Sequence, residues 1–64
     1  MAKYTRERAI KLLGQPGGVS ASQWENIYRT TRVALIRHDL VEHDTFGDIK
    51  LSSKGREKFK KELE

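Results

Sequence analysis

Residues 20–38 read SASQWENIYRTTRVALIRH, and the organisation of the chain is assigned outward from this stretch. It opens on two overlapping capping-box patterns, Ser20-x-x-Gln23 and Ser22-x-x-Glu25, each able to satisfy the unpaired amides of a helix start. At about 100° per residue, Trp24, Ile27, Tyr28, Thr31, Ala34, Leu35 and His38 fall on one face, which predicts a helix over 20–38. Asn26, Arg29, Val33 and Arg37 occupy the opposite face. Two β-branched residues, Thr30 and Thr31, lower helix propensity and leave open a break at that point, with a threonine capping a new helix.

On the N-terminal side, Ala9, Ile10, Leu12 and Leu13 cluster at helical spacing behind Thr5, a residue type that caps first turns, and Gly14 stops the helix. Residues 14–18, Gly-Gln-Pro-Gly-Gly, are too rich in helix breakers to be anything but a tight turn, with Val19 anchoring its far side. On the C-terminal side the rhythm shortens. Leu40–His43 and Ile49–Leu51 read as strands, separated by Asp44-Thr45-Phe46-Gly47-Asp48 with its turn-forming glycine, which predicts a hairpin. Ser52 or Ser53 then caps a last helix through Glu62, in which Phe59 and Leu63 stand four apart and Glu57 is placed to pair with Lys61. The expected fold is mainly α with a small β-hairpin, in the order α-α-β-β-α, and residues 1–64 form a single domain without internal repeats or low-complexity segments.

A chain of 64 residues buries only roughly 60% of the surface its unfolded form exposes, so the core must be thin. Its expected members are Ile10, Leu12, Leu13, Trp24, Ile27, Tyr28, Leu35, Leu40, Ile49, Leu51 and Phe59. No cysteine is present, so neither a disulfide nor a thiolate metal site supplements that core, and dimerisation is one route to added stability. The N-terminus carries no apolar run of signal-peptide length, and nowhere do eighteen apolar residues follow one another. A soluble, cytoplasmic protein without a membrane partner is therefore expected. Thirteen Lys and Arg against nine Asp and Glu give a formal charge of +4, which favours polyanionic partners.

A helix, a tight turn, a second helix, a hairpin and a closing helix resemble a compact winged helix-turn-helix domain of the excisionase or MerR-like layout. Arg8-Ala-Ile-Lys-Leu-Leu-Gly14 followed by Val19-Ser20 resembles the family's first helix and turn. Leu35 through Asp39-Leu40-Val41, and Ile49-Lys50-Leu51-Ser52-x-Lys54-Gly55, resemble the second helix running into the wing and out of it. The resemblance covers nearly the whole chain and rests on packing patterns. It implies a sequence-specific double-stranded DNA-binding protein, a small transcription or recombination regulator associated with the nucleoid, with helix 20–38 in the major groove. Two departures stand out. Gln15-Pro16-Gly17-Gly18 is an insertion in a corner that is usually shorter, and the wing carries Glu42, Asp44 and Asp48 where family members that use the wing on DNA have Lys or Arg. An acidic tip is repelled by phosphate, so the wing either hangs away from the duplex or meets a protein.

Between Asn26 and His38 lie Arg29, Arg32 and Arg37 and no acidic residue, in a chain where acids are common elsewhere. A guanidinium fork can grip guanine O6 and N7, or a phosphate, with two hydrogen bonds at once, and the amides of Gln23 and Asn26 suit adenine. The expected base-reading set is Gln23, Asn26, Arg29, Thr30, Val33 and Arg37. The expected phosphate contacts are Lys3, Arg6, Ser20, Ser22, Arg32, Lys50 and Lys54. The plainer alternatives are a solvated helix face for the arginines and ordinary capping for the two serines. Val33 and Ile36 either touch thymine methyls, or support a dimer, or enter the core of a broken helix. So small a domain binds DNA usefully as a homodimer or an array on repeated half-sites.

Other chemistry is not expected. His38-Asp39 and His43-Asp44 match no zinc spacing, residues 14–22 lack the Lys-Ser or Lys-Thr of a phosphate-binding loop, and the thin core leaves little room for a catalytic pocket. No metal, no cofactor and no enzymatic activity are expected. Phe46 at the hairpin tip is expected to pack back onto the last helix. A protein-interaction module using the acidic hairpin and Phe46 is the alternative function.

Overall fold

The computed structural model describes residues 3–64 and is mainly helical with one antiparallel hairpin, in the predicted order. Residues 1 and 2 of the expected domain lie outside the described residues. Helix α1 (Arg6–Leu13) starts where the Thr5 hydroxyl oxygen accepts the Arg8 amide at 3.3 Å. It ends at Gly14, whose amide donates to the Ile10 carbonyl at 3.0 Å, and its inner face buries Ala9, Ile10 and Leu13. The Gly-rich joint that follows is tight. Gly18 has a φ of 66°, and a side chain there would collide with the Ile49 carbonyl. Only glycine therefore lets Val19 lie beside residue 49, where the two exchange amide-to-carbonyl hydrogen bonds of 2.8 Å in each direction.

The helix expected over 20–38 is two helices. α2 (Ala21–Glu25) begins with the first of the two capping boxes: the Gln23 amide donates to the Ser20 hydroxyl at 3.3 Å, and the Ser20 amide donates to Gln23 Oε1 at 3.0 Å. The chain leaves the helix at Asn26. Ile27 is fully buried and forms a parallel bridge with Tyr4, whose amide donates to the Asn26 carbonyl at 2.9 Å. Burying an isoleucine completely, with a new partner for the carbonyl released from the helix, overrides the local helical preference. α3 (Arg29–Arg37) then starts after an extended Tyr28 that provides no side-chain cap. The break thus falls before Thr30-Thr31, and neither threonine serves as its cap. Its second effect is a change of phase. Tyr28, Ala34 and His38, expected on the core face, are exposed.

α3 closes in a left-handed turn. Asp39 has a φ of 56°, its amide donates to the Ile36 carbonyl at 3.1 Å, and the Leu40 amide reaches back to the Leu35 carbonyl at 2.9 Å. The hairpin pairs β1 (Val41–His43) with β2 (Ile49–Leu51), in the register Val41 to Leu51, Glu42 to Lys50 and His43 to Ile49. Asp44 organises the tip: its Oδ1 accepts the amides of both Phe46 and Asp48 at 2.9 Å, and its own amide donates to the Asp48 carbonyl.

Ser52 caps α4 (Ser53–Lys58), its hydroxyl accepting the Gly55 amide at 3.1 Å and donating to the Asp39 carbonyl at 2.7 Å. Gly55 packs so closely on the Leu40 carbonyl that an alanine there would overlap it. The closing helix expected through Glu62 is interrupted at Phe59, which is buried, and resumes as α5 (Lys60–Leu63). The expected Glu57–Lys61 pair is not formed across that bend. Among the described residues the ion pair formed is instead Arg6 with Glu62, at 3.4 Å.

The core consists of Ala9, Ile10, Leu13, Val19, Ile27, Leu35, Leu40, Ile49, Leu51 and Phe59, with Leu12, Trp24, Tyr4, Val41 and Leu63 packed at its edge. Tyr28, expected among them, is half exposed because it stands outside both helices. No helix among the described residues is long and apolar enough to cross a membrane.

Candidate nucleic-acid interface

Helix α3 buries one of its nine residues, Leu35, with Thr31 and Arg32 half-buried beside it. The opposite side is open over the full length of the helix. Arg29, Val33 and Arg37, each four residues from the next, form a stripe flanked by Thr30 and Ile36, and all five are exposed. Arg29, Thr30, Val33 and Arg37 line one shallow depression together with Ala34 and His38. Neither Arg29 nor Arg37 has an ion-pair partner among the described residues, and no carboxylate lies on the helix. The face is therefore cationic and carries no ion pair among the described residues.

The alternatives left open for Val33 and Ile36 are narrowed by this placement. The helix is broken, yet both residues stay outside the core, Val33 at 42% and Ile36 at 54% exposure. Arg32 differs from its two neighbours: its Nε is buried without a hydrogen-bond partner, so its stem lies against the body of the protein rather than in the open stripe. Gln23 and Asn26 do not join the stripe. Gln23 spends its carbonyl oxygen on the Ser20 amide, and Asn26, half-buried, ends α2 in the connection. The Ser20 hydroxyl is likewise engaged in the cap, while Ser22 is exposed.

The remaining nominated cations are dispersed. Lys3 is exposed with its Nζ 3.5 Å from the Glu25 carbonyl oxygen. Arg6 pairs with Glu62 and sits over the Phe59 ring at 5.5 Å, so its guanidinium is already held. Lys50 is half-buried on β2, and Lys54 is exposed in the first turn of α4. Tyr28 is a residue that sequence reasoning missed. It stands immediately before Arg29 with half of its surface open, and it was hidden by a periodicity that assigned it to the core.

The hairpin tip reverses another expectation. Phe46 does not pack onto the closing helix; it is 88% exposed, because Asp44 fixes the loop so that the ring projects beyond it. Asp44 and Asp48 flank it two residues away on either side in the sequence, both half-buried, with Glu42 on the adjoining strand. Among the described residues no group of three or more His, Asp or Glu side chains is gathered to hold a metal. Comparison with known proteins returns no matching family model, curated protein or solved structure.

Proposed function

We propose that the chain is a winged helix-turn-helix DNA-binding domain in which α2, the Asn26–Tyr28 connection and α3 form the helix-turn-helix and the β1–β2 hairpin is the wing. The observation that carries this reading is the open stripe of α3, with Arg29 and Arg37 uncompensated on a helix free of acids. A helix inserted in the major groove must bury one face in its own domain and offer the other to base edges, which is the division α3 shows around Leu35. Arg29 and Arg37 are assigned to guanine edges or phosphates, Thr30 and Val33 to neighbouring bases including thymine methyls, and Tyr28 to the sugar-phosphate backbone. Exposed Lys3, Ser22 and Lys54 are assigned to flanking phosphates. Regulation of transcription or recombination and a place at the nucleoid follow from this assignment as its biological sense.

The test is binding of a labelled duplex measured by fluorescence anisotropy at several salt concentrations. Replacing both Arg29 and Arg37 with Ala is expected to cost about 1–3 kcal/mol per arginine and to flatten the salt dependence, with an unchanged thermal melt because both side chains are exposed. A double variant that binds as tightly as the parent, with the parent's salt slope, overturns the assignment of α3.

A second reading, a protein-interaction module, is favoured by one observation, the 88% exposed Phe46 at an acidic tip. It predicts a partner with an apolar depression and a cationic rim, and the two readings are compatible because they use different surfaces.

A further inference from the structure

Two features are left unexplained by DNA binding, and they complement each other. One is the hairpin tip, where exposed Phe46 stands in the loop bounded by Asp44 and Asp48. The other is a groove of about 270 Å³ between α1, α3 and the α4–α5 bend. Its floor is the edge of the core, Ile10, Leu35, Leu40 and Phe59, and its side is α3, through Thr30, Thr31, Ala34 and His38. At its mouth are Lys58 and Arg6, the latter paired with Glu62 and lying over the Phe59 ring, and no acidic residue lines it. The groove is apolar where a ring would rest and positive where carboxylates flanking that ring would lie. We propose that the hairpin tip of one copy docks into this groove of a second copy, with the Phe46 ring against Ala34 and the edge of the core and the Asp44 and Asp48 carboxylates facing Lys58.

The tip and the groove are different surfaces, so the contact is head-to-tail and each copy in a pair keeps one free tip and one free groove. Burial of a single ring with ion pairing to one rim cation makes a weak contact in free solution. It becomes effective when neighbouring copies are held close together, as on adjacent sites of one polymer. The inference rests on the hairpin as an interaction surface and not on DNA binding. Its test is run without nucleic acid, so failure of one leaves the other standing.

Sedimentation velocity is measured from micromolar to millimolar protein. The parent chain is expected to shift with concentration from monomer through dimer to larger species. Phe46→Ala, at a site too exposed to affect folding, is expected to weaken association at least about tenfold. Lys58→Glu should weaken it by reversing a rim charge, and Ala34→Leu by filling the groove. The decisive measurement mixes Phe46→Ala, which keeps its groove, with Ala34→Leu or Lys58→Glu, which keep their tips: a head-to-tail contact predicts one-to-one pairs and nothing larger. A parent chain that stays monomeric throughout, a Phe46→Ala variant that associates like the parent, or a mixture in which no pair forms overturns the proposal.

Discussion

Asp39 holds a left-handed backbone, φ 56°, at the point where α3 turns into the hairpin, a position that helices usually give to glycine. A side chain there costs about 1–2 kcal/mol, and an acid beside the negative end of a helix adds a small penalty. Glycine would relieve both but would loosen the unfolded chain. The expected net effect of Asp39→Gly is stabilisation by about 0.5–1 kcal/mol, read as a higher urea midpoint with an unchanged slope. Some residue-scale assignments were legible beforehand because their chemistry is local. Thr5, Gly14 and Ser20 cap or stop helices by hydrogen bonds to residues within one turn, and the sequence places those partners. Gly55 was not legible, because its reason is the Leu40 carbonyl of a segment that approaches only after the hairpin has folded.

At the scale of the element, α3 is fixed to the globule by Leu35 and by the capping turn through Leu40. Leu35→Ala is therefore expected to cost about 2–5 kcal/mol, enough to unfold much of so small a domain. Val33→Ala and Ile36→Ala, equally apolar changes two residues before and one residue after it, should stay within about 0.5 kcal/mol of the parent because their side chains face outward. Chemical denaturation of the three variants checks the rotation of the helix about its axis. The hairpin and the order of elements were readable from alternation and turn residues. The division of residues 20–38 was not. Their apolar spacing is compatible with one helix, and the break is imposed by Tyr4, whose bridge to Ile27 joins segments far apart in the chain. That Arg29, Val33 and Arg37 share one exposed face was legible because helical spacing within α3 survives the break, whereas Asn26 and Tyr28 were misplaced because they sit in it. Phe46 escaped a different rule, that aromatic rings fold inward, since the Asp44 carboxylate fixes a loop that carries the ring away.

On the scale of the whole molecule, the radius of gyration is 10.6 Å, the size expected of a closed globule of this length. A net charge of +4 is spread over such a body so that α3 is free of carboxylates while the hairpin tip gathers them. The cationic stripe and the groove meet along α3, since Thr30, Ala34 and His38 line both depressions. One of its long-range closures lies at Val19 and Ile49, where the glycine-rich joint meets the hairpin through two 2.8 Å hydrogen bonds beside a Gly18 that admits no side chain. These two amides cannot be reached by fraying either end of the chain. In deuterium oxide they should therefore be the last to give up their protons, at rates that report opening of the entire domain, while the amides of the Phe46 loop exchange early.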